Sequence, residues 1–224
     1  MKNLMMRNSN GMGRGLLIAA LLMVGLAVAV PANADIFLLT SDHCTGGCGT
    51  APFGSVTLLQ NGTTVDVTVH LNTGYSFVMT GSADFQDFKF NGVGVALGDI
   101  TINAHVPALA AATGAFSGDG TGNFLFGINC PTCANGGAGA FTPDIVFHVA
   151  NATLADLEQP NNLGNVFVAD VLAPNGNTGP VDATRDNCTG CLPLVPEPAS
   201  LLLLGSGLAG LGLWGMKRRR DVQV

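Results

Sequence analysis

Val56-Thr57-Leu58-Leu59-Gln60-Asn61-Gly62-Thr63-Thr64-Val65-Asp66-Val67-Thr68-Val69-His70-Leu71 decides the fold. Two alternating, β-branched runs flank Asn61-Gly62, a pair suited to the positive φ values of a tight hairpin turn. In the second run Val65, Val67, Val69 and Leu71 share one face, while Asp66, Thr68 and His70 share the other. The same pattern recurs outward along the chain. Residues 36–40, 75–80, 85–90, 98–103, 123–128, 144–150 and 165–172 read as further strands, separated by Gly, Asn and Asp clusters. Only residues 152–158 and 107–112 invite a helical turn. Many short strands with Gly-rich connections predict an all-β domain, a β-sandwich of Greek-key or jelly-roll kind. The glycines show no fixed period, so a propeller or solenoid is not expected.

This domain spans residues 35–194, enough chain for one substantial core. Only Lys89 and Arg185 are basic there, against twelve aspartates and Glu158, which leaves a net charge of −11. The whole-chain value of −6 hides this, because seven of nine basic residues lie near the two ends. So acidic a surface repels phosphate backbones, and nucleic acid is excluded as a partner. Its simplest role is to keep the domain solvated.

The two ends carry a different message. Lys2, Arg7 and Arg14 precede an apolar stretch over residues 16–30, followed by Pro31-Ala32-Asn33-Ala34. A basic lead, a short apolar core and an A-x-A site are the parts of a secretory signal peptide, residues 1–34. Signal peptidase, accommodating Ala32 and Ala34, would leave Asp35 as the new N-terminus. At the other end, residues 199–216 are uninterrupted by charge and run into Lys217-Arg218-Arg219-Arg220. As a helix this segment covers about 27 Å, enough for a thin hydrocarbon core. The basic cluster acts as a stop that holds the tail in the cytoplasm. The domain between then lies outside, in agreement with the signal peptide.

Val195-Pro196-Glu197-Pro198, the apolar helix and the Lys217 to Arg220 cluster resemble the PEP-CTERM sorting signal of Gram-negative bacteria, over residues 195–220. The resemblance implies recognition of Pro196-Glu197-Pro198 by exosortase, a membrane-embedded cysteine-protease-like enzyme. It further implies removal of the helix and delivery from the inner membrane to the cell surface or matrix, often beside exopolysaccharide. Prolines around Glu197 hold that segment extended, since each ring lacks an N–H and disfavours helix in the residue before it.

Six cysteines form three close pairs, Cys44 and Cys48, Cys130 and Cys133, Cys188 and Cys191. An exported chain oxidises them by default. The spacing favours three local rings, which remove little unfolded-state entropy; a rival pairing joins the first and last pairs across the domain. Cys130, Cys133, Cys188 and Cys191 also offer a four-thiolate zinc set, against which an oxidising compartment competes. A redox-active C-x-x-C lacks its usual βαβ setting, and no histidine follows either C-x-x-C to attach haem.

Other chemistry is sparse. His43, His70, His105 and His148 are scattered. The stretch Ser117-Gly118-Asp119-Gly120-Thr121-Gly122-Asn123 has one carboxylate and reads as a turn rather than a calcium loop. No G-x-S-x-G elbow lies in the exported domain, and the chain has no H-E-x-x-H and no phosphate loop. Asp84 and Asp87 form the kind of carboxylate pair any acidic β-domain offers. Trp214 lies in the tail and Tyr75 is the domain's single tyrosine, so a sugar-stacking face is poorly supplied.

A softer resemblance covers the domain itself. Ser41 to Gly49, Gly122-Asn123-Phe124 with Gly127-Ile128-Asn129-Cys130, and Asn175 to Val181 look like blocks of other β-rich PEP-CTERM proteins. They imply a shared fold and no activity. The expectation is a non-enzymatic surface or matrix protein without a cofactor or a resident metal. A carbohydrate-active or redox enzyme on the same scaffold is the alternative.

Overall fold

The central hairpin closes one residue later than its Asn-Gly pair suggests. In the computed structural model, which describes residues 34–80 and 85–191, β3 (Gly54–Asn61) pairs with β4 (Thr64–Leu71), and Asn61 sits opposite Thr64. The loop is therefore Gly62 and Thr63, and Gly62 alone takes a positive φ, of 62°. Asn61 stays in the strand. This register puts Val56 opposite Val69 and Leu58 opposite Val67, all buried. A slip by one residue would turn that whole set to solvent.

Two antiparallel sheets result. β1 (Ala34–Leu39), β3, β4, β7 (Ile100–Ile102), β10 (Ile145–Ala150) and β13 (Cys188–Thr189) form the first, in the order β13-β1-β3-β4-β10-β7. The second contains β2 (Ser41–Asp42), β6 (Phe88–Phe90), β8 (Ala110–Gly118), β9 (Gly122–Asn129), β11 (Asn165–Leu172) and β12 (Thr178–Thr184). Its order is β2-β12-β11-β6-β9-β8, with β5 (Ser76–Phe77) also pairing β11. The chain changes sheets repeatedly, as between β1 and β2 or β9 and β10, instead of running as a meander. The domain is an all-β sandwich.

Phenylalanines tie the sheets together. Phe37 of β1 meets Phe167 of β11 edge-on at 5.0 Å between ring centroids. Phe147 of β10 lies 5.2 Å from Phe90 and 6.1 Å from Phe88, both on β6. Each such ring contributes about 2–3 kcal/mol by leaving water, and well-oriented pairs add roughly 1 kcal/mol.

Several sequence expectations are corrected. Residues 107–112 do not form a helical turn: from Ala110 they enter β8, where pairing with β9 overrides alanine's helix preference. Of residues 75–80 and 85–90, only Ser76–Phe77 and Phe88–Phe90 are strand, and Phe85 has a positive φ of 52°. A 3-10 turn, Leu97–Asp99, precedes β7. β12 escapes sequence detection because it contains Pro180, which has no N–H for a ladder. The helical turn expected at 152–158 is present as α1 (Leu154–Leu157), its start held by Asp156 accepting from Thr153 N at 2.9 Å. The lead and apolar core of the expected signal peptide, and the sorting signal with the helix expected over 199–216, lie outside the described residues. Among the described residues no helix is long and apolar enough to cross a membrane.

Candidate functional site: buried carboxylates and three disulfide rings

Lys89 stands between Phe88 and Phe90, so with both rings in the core its side chain takes the opposite face of the second sheet. Register extends the row: Val168 of β11 lies opposite Lys89 on one side and Asp182 on the other. Asp170 occupies the same face two residues along. Although this face points away from the aromatic core, Lys89, Asp170 and Asp182 are at most 2% exposed. The β8–β9 turn helps to cover it, with Gly118 beside Lys89 and Gly120 beside the His43 ring.

Burial sets the chemistry of the row. Lys89 Nζ donates to Asp170 Oδ1 at 3.2 Å, and Thr80 Oγ1 donates to Asp170 Oδ2 at 2.8 Å. Loss of water nevertheless pushes the Asp170 carboxyl above the usual range, against those contacts. Asp87, equally hidden, accepts from Cys130 N at 2.9 Å. Desolvation raises it to about 7, despite that hydrogen bond and with Asp170's charge adding to the rise. Asp182 is raised by desolvation too, opposed by His43.

Ser41, His43 and Asp182 meet at the β2–β12 edge. His43 Nε2 is 2.7 Å from Asp182 Oδ2, and Ser41 Oγ is 3.4 Å from the same Nε2. A hydrolase relay needs acid and nucleophile on opposite ring nitrogens. Here both approach one nitrogen, so the ring cannot pass a proton between them.

The three cysteine pairs each close on themselves, with Cα–Cα distances of 5.4, 5.3 and 5.6 Å for Cys44–Cys48, Cys130–Cys133 and Cys188–Cys191. The rival pairing of first and last pairs does not occur. Nor do Cys130, Cys133, Cys188 and Cys191 gather as a zinc set. Among the described residues, the groupings with ligand spacing are Asp35 with Cys188 and Cys191, and Asp42 with Cys44 and Cys48. Sulfurs joined in disulfides are not thiolate ligands.

The first ring is clamped by its surroundings. Asp42 accepts from Cys44 N at 2.9 Å and Cys48 N at 2.7 Å, while Tyr75 donates its hydroxyl to Cys48 O at 2.9 Å. Asn175 and Asn177 both donate to Gly47 O. The sequence blocks 41–49 and 175–181 are thus one structural unit, distant in the chain and paired as β2 and β12.

The third ring lies beside two carboxylates. Oxygens of Asp35 and the sulfurs of Cys188 and Cys191 lie within 4.8 Å of one another. Glu158 Oε1 is 3.7 Å from Cys191 Sγ, and Arg185 donates to Glu158 Oε2 at 3.1 Å. Burial raises Glu158 to about 8; its hydrogen bond to the Asp35 carboxylate and that residue's charge push the same way, while Arg185 opposes them. Sequence reasoning missed this group and the Lys89 row, since neither carries a local motif. The available signal was the rarity of cations: Lys89 and Arg185 are the domain's only two, and each meets a buried acid.

The remaining histidines make ordinary contacts. His70 Nδ1 is 2.8 Å from Asp144 and His148 Nδ1 is 2.6 Å from Asp66, both on the solvent side of the first sheet. His105 contacts the carbonyls of Pro107 and Pro143. Of residues 117–123, Asp119-Gly120-Thr121 form the β8–β9 turn and the flanking residues end the two strands.

Fold and cysteine chemistry together define a disulfide-ringed, acidic β-sandwich, and the chain beyond it supplies the class. Residues 194–220 match the family model of the PEP-CTERM protein-sorting motif. The match includes Val195, Pro196, Glu197, Pro198 and Lys217 to Arg220, and it marks an exported protein sorted through exosortase to the cell surface. Comparison with curated proteins and with solved structures gives no match.

Proposed function

We propose that the protein is a non-enzymatic constituent of the cell surface or extracellular matrix. In this reading signal peptidase removes residues 1–34, and the apolar tail holds the chain in the inner membrane until exosortase cuts near Pro196-Glu197-Pro198. The acidic sandwich then joins polysaccharide-bearing surface material. The sorting motif over residues 194–220 carries the reading. Three disulfide rings suit an oxidising destination. The shared nitrogen in the Ser41–His43–Asp182 group counts against hydrolysis. Tyr75 is committed to Cys48 and stacks edge-on against Phe53 at 5.7 Å, so it is not free to form a sugar platform.

Mass spectrometry of the protein recovered from surface material tests this. The expected product begins at Asp35 and ends upstream of residue 201. Recovery of an intact tail through Arg220 would overturn the sorting route. Replacing Glu197 by alanine should leave the unprocessed chain in the membrane fraction.

A further inference from the structure

The Cys188–Cys191 ring differs in its setting from the other two. Cys188 begins β13, a two-residue edge strand paired only with β1, and Cys191 follows just beyond it. Both sulfur-bearing residues are half-buried, within reach of an incoming group. A ring with a sequence separation of 3 constrains little unfolded chain. Opening it therefore costs the fold less than breaking a long-range bridge.

We infer that Cys188–Cys191 is an exchangeable disulfide that reacts with an external thiol, with Glu158 as proton donor. The external thiolate attacks Cys188 Sγ, and the S–S bond breaks with its electron pair going to Cys191 Sγ. Glu158 Oε1, 3.7 Å away, gives its proton to that sulfur. The products are a mixed disulfide on Cys188, a neutral thiol on Cys191 and a Glu158 carboxylate already paired with Arg185 at 3.1 Å. A thiolate left beside Asp35 and Glu158 would be strongly disfavoured, so protonation on departure is what lets the bond open. Burial supplies the proton, because Glu158 stays protonated up to about pH 8. The other ionisable groups facing the site are Asp35 from β1 and Arg185 from the turn before β13. The Cys44–Cys48 ring has instead the exposed Asp42, engaged with two backbone N–H groups.

This chemistry belongs to the folded domain and is independent of the sorting route. It is tested on the oxidised full chain with glutathione as the probe, by trapping at intervals and peptide mapping of all three rings. Cys188–Cys191 should open first and carry the glutathione adduct on Cys188. Glu158→Gln should slow that step about a hundredfold at pH 7, the low end of general-acid effects. In the unaltered protein, the rate divided by glutathione thiolate concentration should fall as pH rises through about 8, where Glu158 loses its proton. Equal opening of the three rings would overturn the inference. So would a Glu158→Gln rate that matches the parent, or, if that variant misfolds, a normalised rate that does not fall across pH 8.

Discussion

Asp87→Asn probes how the buried row responds to pH. Asp87 is 1% exposed, and desolvation lifts its carboxyl from 3.8 to about 7. The folded state thus holds a proton that the unfolded chain releases between those values. Its stabilising contribution is fully present below about pH 3.8 and is lost as pH rises through about 7. A shift of this size corresponds to roughly 4 kcal/mol. Asparagine keeps an acceptor oxygen for Cys130 N, the 2.9 Å contact, and removes the titration. Urea denaturation with the disulfides intact, at pH 4.5 and 8.5, reads the difference. Parent and variant should agree within about 1 kcal/mol at pH 4.5, where both side chains are neutral in the folded state and little of the pH-dependent loss has accrued. In base the variant should be the more stable, by up to roughly 4 kcal/mol. Some pH dependence will persist in the variant, because Asp170, Asp182 and Glu158 are raised by burial in the same direction. Parallel stability curves for the two proteins would refute the desolvation argument.

Three further outcomes follow from packing and charge. Phe167→Ala removes the ring that touches Phe37 at 5.0 Å and Phe88 at 5.9 Å, and should cost about 3–5 kcal/mol in urea unfolding. Gly127→Ala would set a methyl group 2.6 Å from Cγ and Cδ of the buried Gln86, and overpacking of this kind costs about 1–3 kcal/mol; an unchanged melting temperature would contradict that contact. Arg185→Ala removes the cation that lowers Glu158, so its pKa should climb further. Thermal melts of this variant should match the parent near pH 6 and fall below it near pH 9, where Glu158 must ionise without a partner.

Local pattern carried much of the architecture. Alternation of Val65, Val67, Val69 and Leu71 with polar residues placed β4 and its buried face correctly, because side chains in a strand alternate whatever the neighbouring strand is. The turn between β3 and β4 was legible to within one residue. Its last residue of register was decided by which faces the neighbouring strands bury. β8 and β12 illustrate the opposite case: an alanine run and a proline-containing stretch have weak or misleading local signals. Pairing with β9 and β11 makes them strands.

The sequence by itself determined the all-β class, the acidity of the domain, the spacing that lets each cysteine find its neighbour, and the sorting address around Pro196-Glu197-Pro198. These are properties of composition and short-range order. Tertiary structure alone decided that Lys89 meets Asp170 across 81 residues of chain and that Glu158 meets Arg185 across 27. It also turned His43 and Ser41 toward one another without forming a relay. A carboxylate's acidity depends on the water it loses and the charges brought beside it, and both are set by strands that meet only when the sandwich closes.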